Sequence, residues 1–170
     1  MVRQYTQEEI DALIKCPKTI SNNNPPRKAM ALEKGHYRNG MDLQSLDGKN
    51  KFQVYMRKNA KFEENFTIGL DYIPADGSGR ITLLRCNGPH GGHINTWEFE
   101  SPHFGHHIHI AKADNINDGL KSDIYAEVTQ KYSTYFDALF YFLKYCNIQG
   151  YEKYFTMIRQ LRLFDSGADD

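Results

Sequence analysis

Residues 52–86, FQVYMRKNAKFEENFTIGLDYIPADGSGRITLLRC, decide the fold. Phe52, Val54 and Met56 alternate with Gln53, Tyr55 and Arg57, and Phe66, Ile68, Leu70 and Tyr72 repeat the pattern, the period-two signature of strands with one buried face. Asp76-Gly77-Ser78-Gly79 supplies a turn, and Ile81-Thr82-Leu83-Leu84 returns as the next strand. Upstream, Leu43 and Ser45 lead through Leu46-Asp47-Gly48-Lys49-Asn50 into Phe52, a β-hairpin. Downstream, in His106–Lys112, Ile108 and Ile110 point to one side and His107 and His109 to the other.

Helices flank this meander. Thr6-Gln7-Glu8-Glu9 is a capping box ahead of Ile10, Leu13 and Ile14, which share one helical face, and Pro17 closes the segment. Ser133-Thr134 precede Phe136, Leu139, Phe140 and Leu143 at helical spacing, and Tyr154, Ile158 and Leu161 form a second stripe after Gly150. Residues 18–35, with an Asn run, Pro25-Pro26 and a helix-compatible AMALEK stretch, read as a loop crossing towards the sheet. The fold expected is α+β: an antiparallel sheet of about five strands over residues 41–112, an N-terminal helix at 6–16 and two C-terminal helices at 134–164 packed on one face. Residues 1–170 are expected to form a single domain.

Composition excludes several classes. No apolar run approaches the roughly 18 residues of a membrane span, and the charged opening MVRQYTQEEIDALIK is unlike a signal peptide, so a cytoplasmic protein without a membrane partner is expected. Cys16, Cys86 and Cys146 lie far apart without a CxxC pair, which points to buried free thiols. Lys plus Arg equal Asp plus Glu at 21 each. The distribution is uneven, however: from Lys15 to Lys61 eleven basic residues face three acids. Arg57, Lys58 and Lys61 in this segment, with Lys112, are the candidate nucleic-acid contacts.

Six of the seven histidines fall between His90 and His109. Gly88, Gly91, Gly92 and Pro89 form a loop able to aim His90 and His93 towards the side of a strand bearing His107 and His109. Two imidazoles titrating near neutrality suit general acid–base cleavage of RNA through its 2′-hydroxyl without a metal, with His90, His93, His107 and His109 as candidates and Arg85 stabilising charge. The same four histidines, as an x2-spaced pair and an i, i+2 pair, permit a zinc or other transition-metal site, although no cofactor is favoured. A third reading leaves them as satisfied surface or structural groups, His36, His103 and His106 above all. The tyrosines from Tyr125 to Tyr154 offer stacking surfaces but read as packing, and Asp137 reads as a capping or helix-dipole residue. GxSxG, P-loop, GxGxxG and HExxH motifs are absent from the sequence.

Asn87-Gly88-Pro89-His90-Gly91, then His107-x-His109-x-Ala111, Tyr125-Ala126-Glu127 and an aromatic helix ending Cys146-Asn147-Ile148 together resemble a family of uncharacterised bacterial and phage- or plasmid-borne proteins. The resemblance spans about residues 40–148. It implies that His90, His107 and His109 share one site, with His103 and His106 as local additions, and it implies no particular activity.

The function expected is a small histidine-dependent, metal-independent endoribonuclease, of the kind used as a toxin or by a mobile element against host defence. The main alternative is a non-catalytic inhibitor that binds RNA or a nucleoprotein through its basic surface. A His-ligated metal-dependent hydrolase is the second alternative.

Overall fold

The structure is a computed structural model, and it describes residues 2–89 and 105–157. Its centre is a curled, half-barrel sheet of nine strands in the order β8-β7-β6-β5-β4-β3-β1-β9, with β2 paired to β3. The meander is antiparallel: β3 (His36–Ser45), β4 (Lys51–Asn59), β5 (Phe66–Ile73), β6 (Ile81–Asn87), β7 (His107–Ile110) and β8 (Ala126–Val128). Parallel pairing of β1 (Lys18–Ile20) with β9 (Ile148–Gln149) makes the sheet mixed.

This corrects the expectation of about five strands with two C-terminal helices on one face. The sheet begins at Lys18 and not near residue 41, because residues read as a crossing loop contain two three-residue strands, too short to show a period. Ala31–Glu33 (β2) lies within the AMALEK stretch and pairs with His36–Arg38. The turn between them is Lys34-Gly35, with φ of 48° and 78°. Two consecutive residues at positive φ are what a two-residue type I′ hairpin requires, so turn geometry overrides helix propensity there. At the other end one C-terminal helix, α3 (Tyr135–Tyr145), is described. Tyr151–Lys153 forms a single 3-10 turn after the left-handed Gly150, and Ile158 and Leu161 of the proposed second helix lie outside the described residues.

The helix starts follow their caps. In α1 (Gln7–Lys15) the Glu9 amide donates to Thr6 Oγ1 at 3.2 Å and the Thr6 amide donates to Glu9 Oε2 at 2.8 Å, closing the capping box. Thr134 accepts from the Asp137 amide at the start of α3, which places Asp137 in the first turn as a capping-region residue. A short α2 (Ala113–Asn117) follows β7.

One apolar cluster joins Ile10, Leu13 and Ile14 of α1 and Leu139, Phe142 and Leu143 of α3 to the inner side chains of the strands. Each such side chain contributes roughly 1.5–3 kcal/mol on burial. Ile108 enters this cluster and Ile110 packs against it, so β7 keeps the alternation read from its sequence. Tyr132, Tyr135 and Tyr151 are buried in the cluster, consistent with a packing role.

Lys18 is fully buried although it belongs to the basic segment. Its ammonium donates to the carbonyls of Ile14 at 2.7 Å, Cys16 at 2.8 Å and Cys146 at 3.0 Å. It thus ties the end of α1 to the end of α3, satisfying carbonyls that helix termini leave without intrahelical partners.

Candidate functional site

The antiparallel register places two cross-strand rows, polar except at Gly40 and Gly69, on the side of the sheet away from the helices. One row runs Arg38, Arg57, Thr67, Asn87 and His107 across five strands. The next runs Gly40, Tyr55, Gly69, Arg85 and His109. Most members alternate along their strands with side chains of the apolar cluster, so the pattern that builds the core also builds this face.

Arg38, Arg57 and Arg85, with Tyr55 and Thr67, surround a cleft of about 330 Å³. Three guanidiniums around a hydroxyl and a phenol form a donor-rich cleft suited to an oxyanion, since each guanidinium presents a rigid fork of N–H groups. Arg57 is steadied by His36, whose Nε2 accepts from the Arg57 guanidinium at 2.6 Å. Arg38 lies 3.9 Å from the exposed Glu33, a solvent-screened pair of little energetic weight.

Behind the arginines lies a buried charge network. Arg85 Nε donates to Asp123 Oδ2 in a short ion pair, and Lys121 lies 3.6 Å from the other carboxylate oxygen. The backbone carbonyl of the same Asp123 accepts from His109 Nδ1 at 2.8 Å. One residue of the segment between α2 and β8 therefore orients both Arg85 and His109. Asp71 accepts from Thr82 Oγ1 at 2.8 Å and pairs with Arg80 at 3.5 Å. Burial pushes the Asp71 carboxyl up, the Thr82 hydrogen bond and Arg80 oppose this, and the Asp123 charge reinforces it. Burial likewise pushes the Tyr55 phenol up, against the pull of Arg85. The phenol is therefore neutral at neutral pH and has a proton it can donate.

His107 and His109 are both buried, with ring centroids 5.1 Å apart. His107 Nδ1 donates to the carbonyl of Gly105 at 2.8 Å, as His109 Nδ1 does to that of Asp123. Donation from Nδ1 fixes the tautomer of each neutral ring, with the lone pair on Nε2.

The other sequence candidates are distributed differently. His90 and His93, like His103, lie outside the described residues. Arg85 and Arg57 join the polar face. Lys58, one position from Arg57, points to the opposite side of the sheet near Tyr37 and Tyr135. Lys61 is exposed beyond β4, and Lys112 precedes α2 with its ammonium 4.3 Å from the Tyr125 ring centroid. The four basic candidates do not form one patch. His106 packs edge-on against Tyr132 on the core side. Among the described residues no group of three or more His, Cys, Asp or Glu side chains is arranged to hold a metal ion.

Sequence reasoning missed Arg38, His36, Tyr55, Asp71 and Asp123. Two had a signal: Gly69, against which Tyr55 packs, and Asp71 itself interrupt an apolar strand, the mark of a close approach and of a polar second face. Chemistry at Cys86 and Cys146 is disfavoured, because burial raises the Cys86 thiol well above its usual range and pushes Cys146 up to about 12.

A model of the family described as "Family of unknown function (DUF6978)" matches residues 5–148. The chain belongs to that family. The match begins at α1 and ends in β9, so it takes in the whole arginine and histidine face among the described residues. Searches of curated proteins and of solved structures return no match. Among the described residues, no helix is long and apolar enough to cross a membrane.

Proposed function

We propose that the chain binds RNA through the arginine-bearing face of its sheet. The observation that carries this reading is the convergence of Arg38, Arg57 and Arg85 with Thr67 and Tyr55 on one cleft of about 330 Å³. Neutralising phosphates with cationic side chains releases counterions and supplies most of the affinity of a sequence-tolerant nucleic-acid binder. The buried Asp123 pair orients Arg85 for this task. In this reading a non-catalytic protein acts by occupying an RNA or a nucleoprotein.

Cleavage of the bound RNA is the second reading, favoured by the anchoring of His107 and His109 through Nδ1 beside Arg85. One imidazole would accept the 2′-hydroxyl proton, its partner would supply a proton to the leaving oxygen, and Arg85 would stabilise the phosphorane. His90 and His93 remain candidate partners in this chemistry. Binding is placed first because both β7 imidazoles are buried and a general base must reach the proton it removes.

Incubating the protein with a labelled single-stranded RNA in excess EDTA, and recording both anisotropy and product ends, tests the two readings together. Binding that weakens with salt and leaves the RNA intact supports the first. Cleavage to 2′,3′-cyclic phosphate ends that survives EDTA moves the second ahead. Absence of binding at low salt overturns both.

A further inference from the structure

We infer that the helix-covered side of the sheet holds a separate binding site for a mononucleotide, a planar ring carrying a phosphate. This inference is independent of the RNA reading, because its residues lie on the opposite side of β4. A cavity of about 410 Å³ opens between the segment 27–30, the ends of β3 and β4, the start of α3 and residues 154–157. That volume lies within the range of small-ligand pockets.

The walls are aromatic: Tyr37, Tyr135, Phe136, Tyr154 and Phe155. Tyr135 is buried, and among the described residues its hydroxyl has no hydrogen-bond partner, burial being the sole influence that raises its phenol. The hydroxyl oxygen is reached by solvent, so it stands in the cavity wall as a donor that a ligand can engage in place of water.

The charge is cationic. Lys58 stands with its ammonium 5.7 Å from the Tyr37 ring centroid and 5.6 Å from that of Tyr135. Its carboxylate neighbour, Glu63, is 3.8 Å away and largely exposed, a partner that solvent screens. Arg27, itself 4.0 Å from the exposed Glu33, and Lys28 add two more cations to the lining, whose one acid among the described residues is Glu63. Flat aromatic walls accept a base, and three cations at one cavity match a phosphate. Inorganic phosphate alone would leave the aromatic walls unused, and an uncharged nucleoside would leave the cations unused.

Calorimetric titration of the full chain with AMP, adenosine and inorganic phosphate tests the inference. AMP is expected to bind at least tenfold more tightly than either of the others. Lys58→Met should weaken AMP at least tenfold while leaving adenosine within twofold, and Arg57→Ala should leave AMP within twofold. Tyr135→Phe, which keeps the ring and removes the hydroxyl, is expected to weaken AMP several-fold; thermal melts establish that each variant is folded. Failure of AMP to bind at millimolar concentration, binding indifferent to Lys58→Met, or binding abolished by Arg57→Ala and retained in Lys58→Met overturns the site.

Discussion

The ring of Tyr55 lies across the backbone of Gly69 on the neighbouring strand, so close that a Cβ built at Gly69 would stand 2.1 Å from Tyr55 Cζ. The absence of a side chain at Gly69 is what lets the phenol lie across β5 beside the Arg85 guanidinium. Local sequence, strand register and site geometry meet in this one contact.

Gly69→Ala should therefore displace the Tyr55 ring. Forcing a methyl group into a filled position costs about 1–3 kcal/mol. Chemical denaturation should show a loss of that size, and RNA affinity should fall in the folded fraction. A Gly69→Ala protein with unchanged stability and affinity would mean that Tyr55 has room to spare.

How far the sequence foretold this arrangement depends on the element. Alternation in Phe52–Met56 and Phe66–Tyr72 was legible because each strand buries one face, and the α1 start was legible because Thr6 and Glu9 cap each other. β1 and β2 were not, since three residues carry no period and the Lys34-Gly35 turn sits inside a run of good helix formers. Lys18 reads as a surface charge until the three carbonyls around it are seen. At the site, Arg57, Arg85, His107 and His109 were picked out, but the separation of Arg57 from Lys58 follows from the pleat alone. Asp123 and His36 could not be found this way, because their roles depend on chain segments that come together only in the fold.

The pair of Arg85 and Asp123 yields a second prediction. Asp123 is 1% exposed, so removing its partner leaves a carboxylate in a place where water cannot reach it. Arg85→Leu should cost about 3–5 kcal/mol, as single removals from buried ion pairs do, with Lys121 recovering part of it. Adding Asp123→Leu should restore stability relative to Arg85→Leu alone. A double variant less stable than the single one would contradict this account of the network.

Asp71 gives the pH dependence its sign. Burial raises its folded carboxyl above the ordinary value of 3.8, so between those two values the folded state holds more protons than the unfolded one. Stability from this group is present below 3.8 and is lost as pH rises through the folded value. Asp71→Asn removes that loss. Urea denaturation of both proteins across the acidic range should show wild type losing more stability than Asp71→Asn on the way to neutrality. Parallel curves would show that Asp71 titrates alike in the two states.

The central claim, that RNA is held on the arginine face of the sheet, is tested most directly by RNA affinity across a salt series in Arg57→Ala and Lys58→Ala. These neighbours carry the same charge and sit on the same strand, but they face opposite sides of the sheet. The account predicts that Arg57→Ala weakens binding and lowers the log–log salt slope by about one, the signature of a lost phosphate contact. It predicts that Lys58→Ala leaves both unchanged. Equal effects of the two substitutions, or a loss confined to Lys58→Ala, would contradict it.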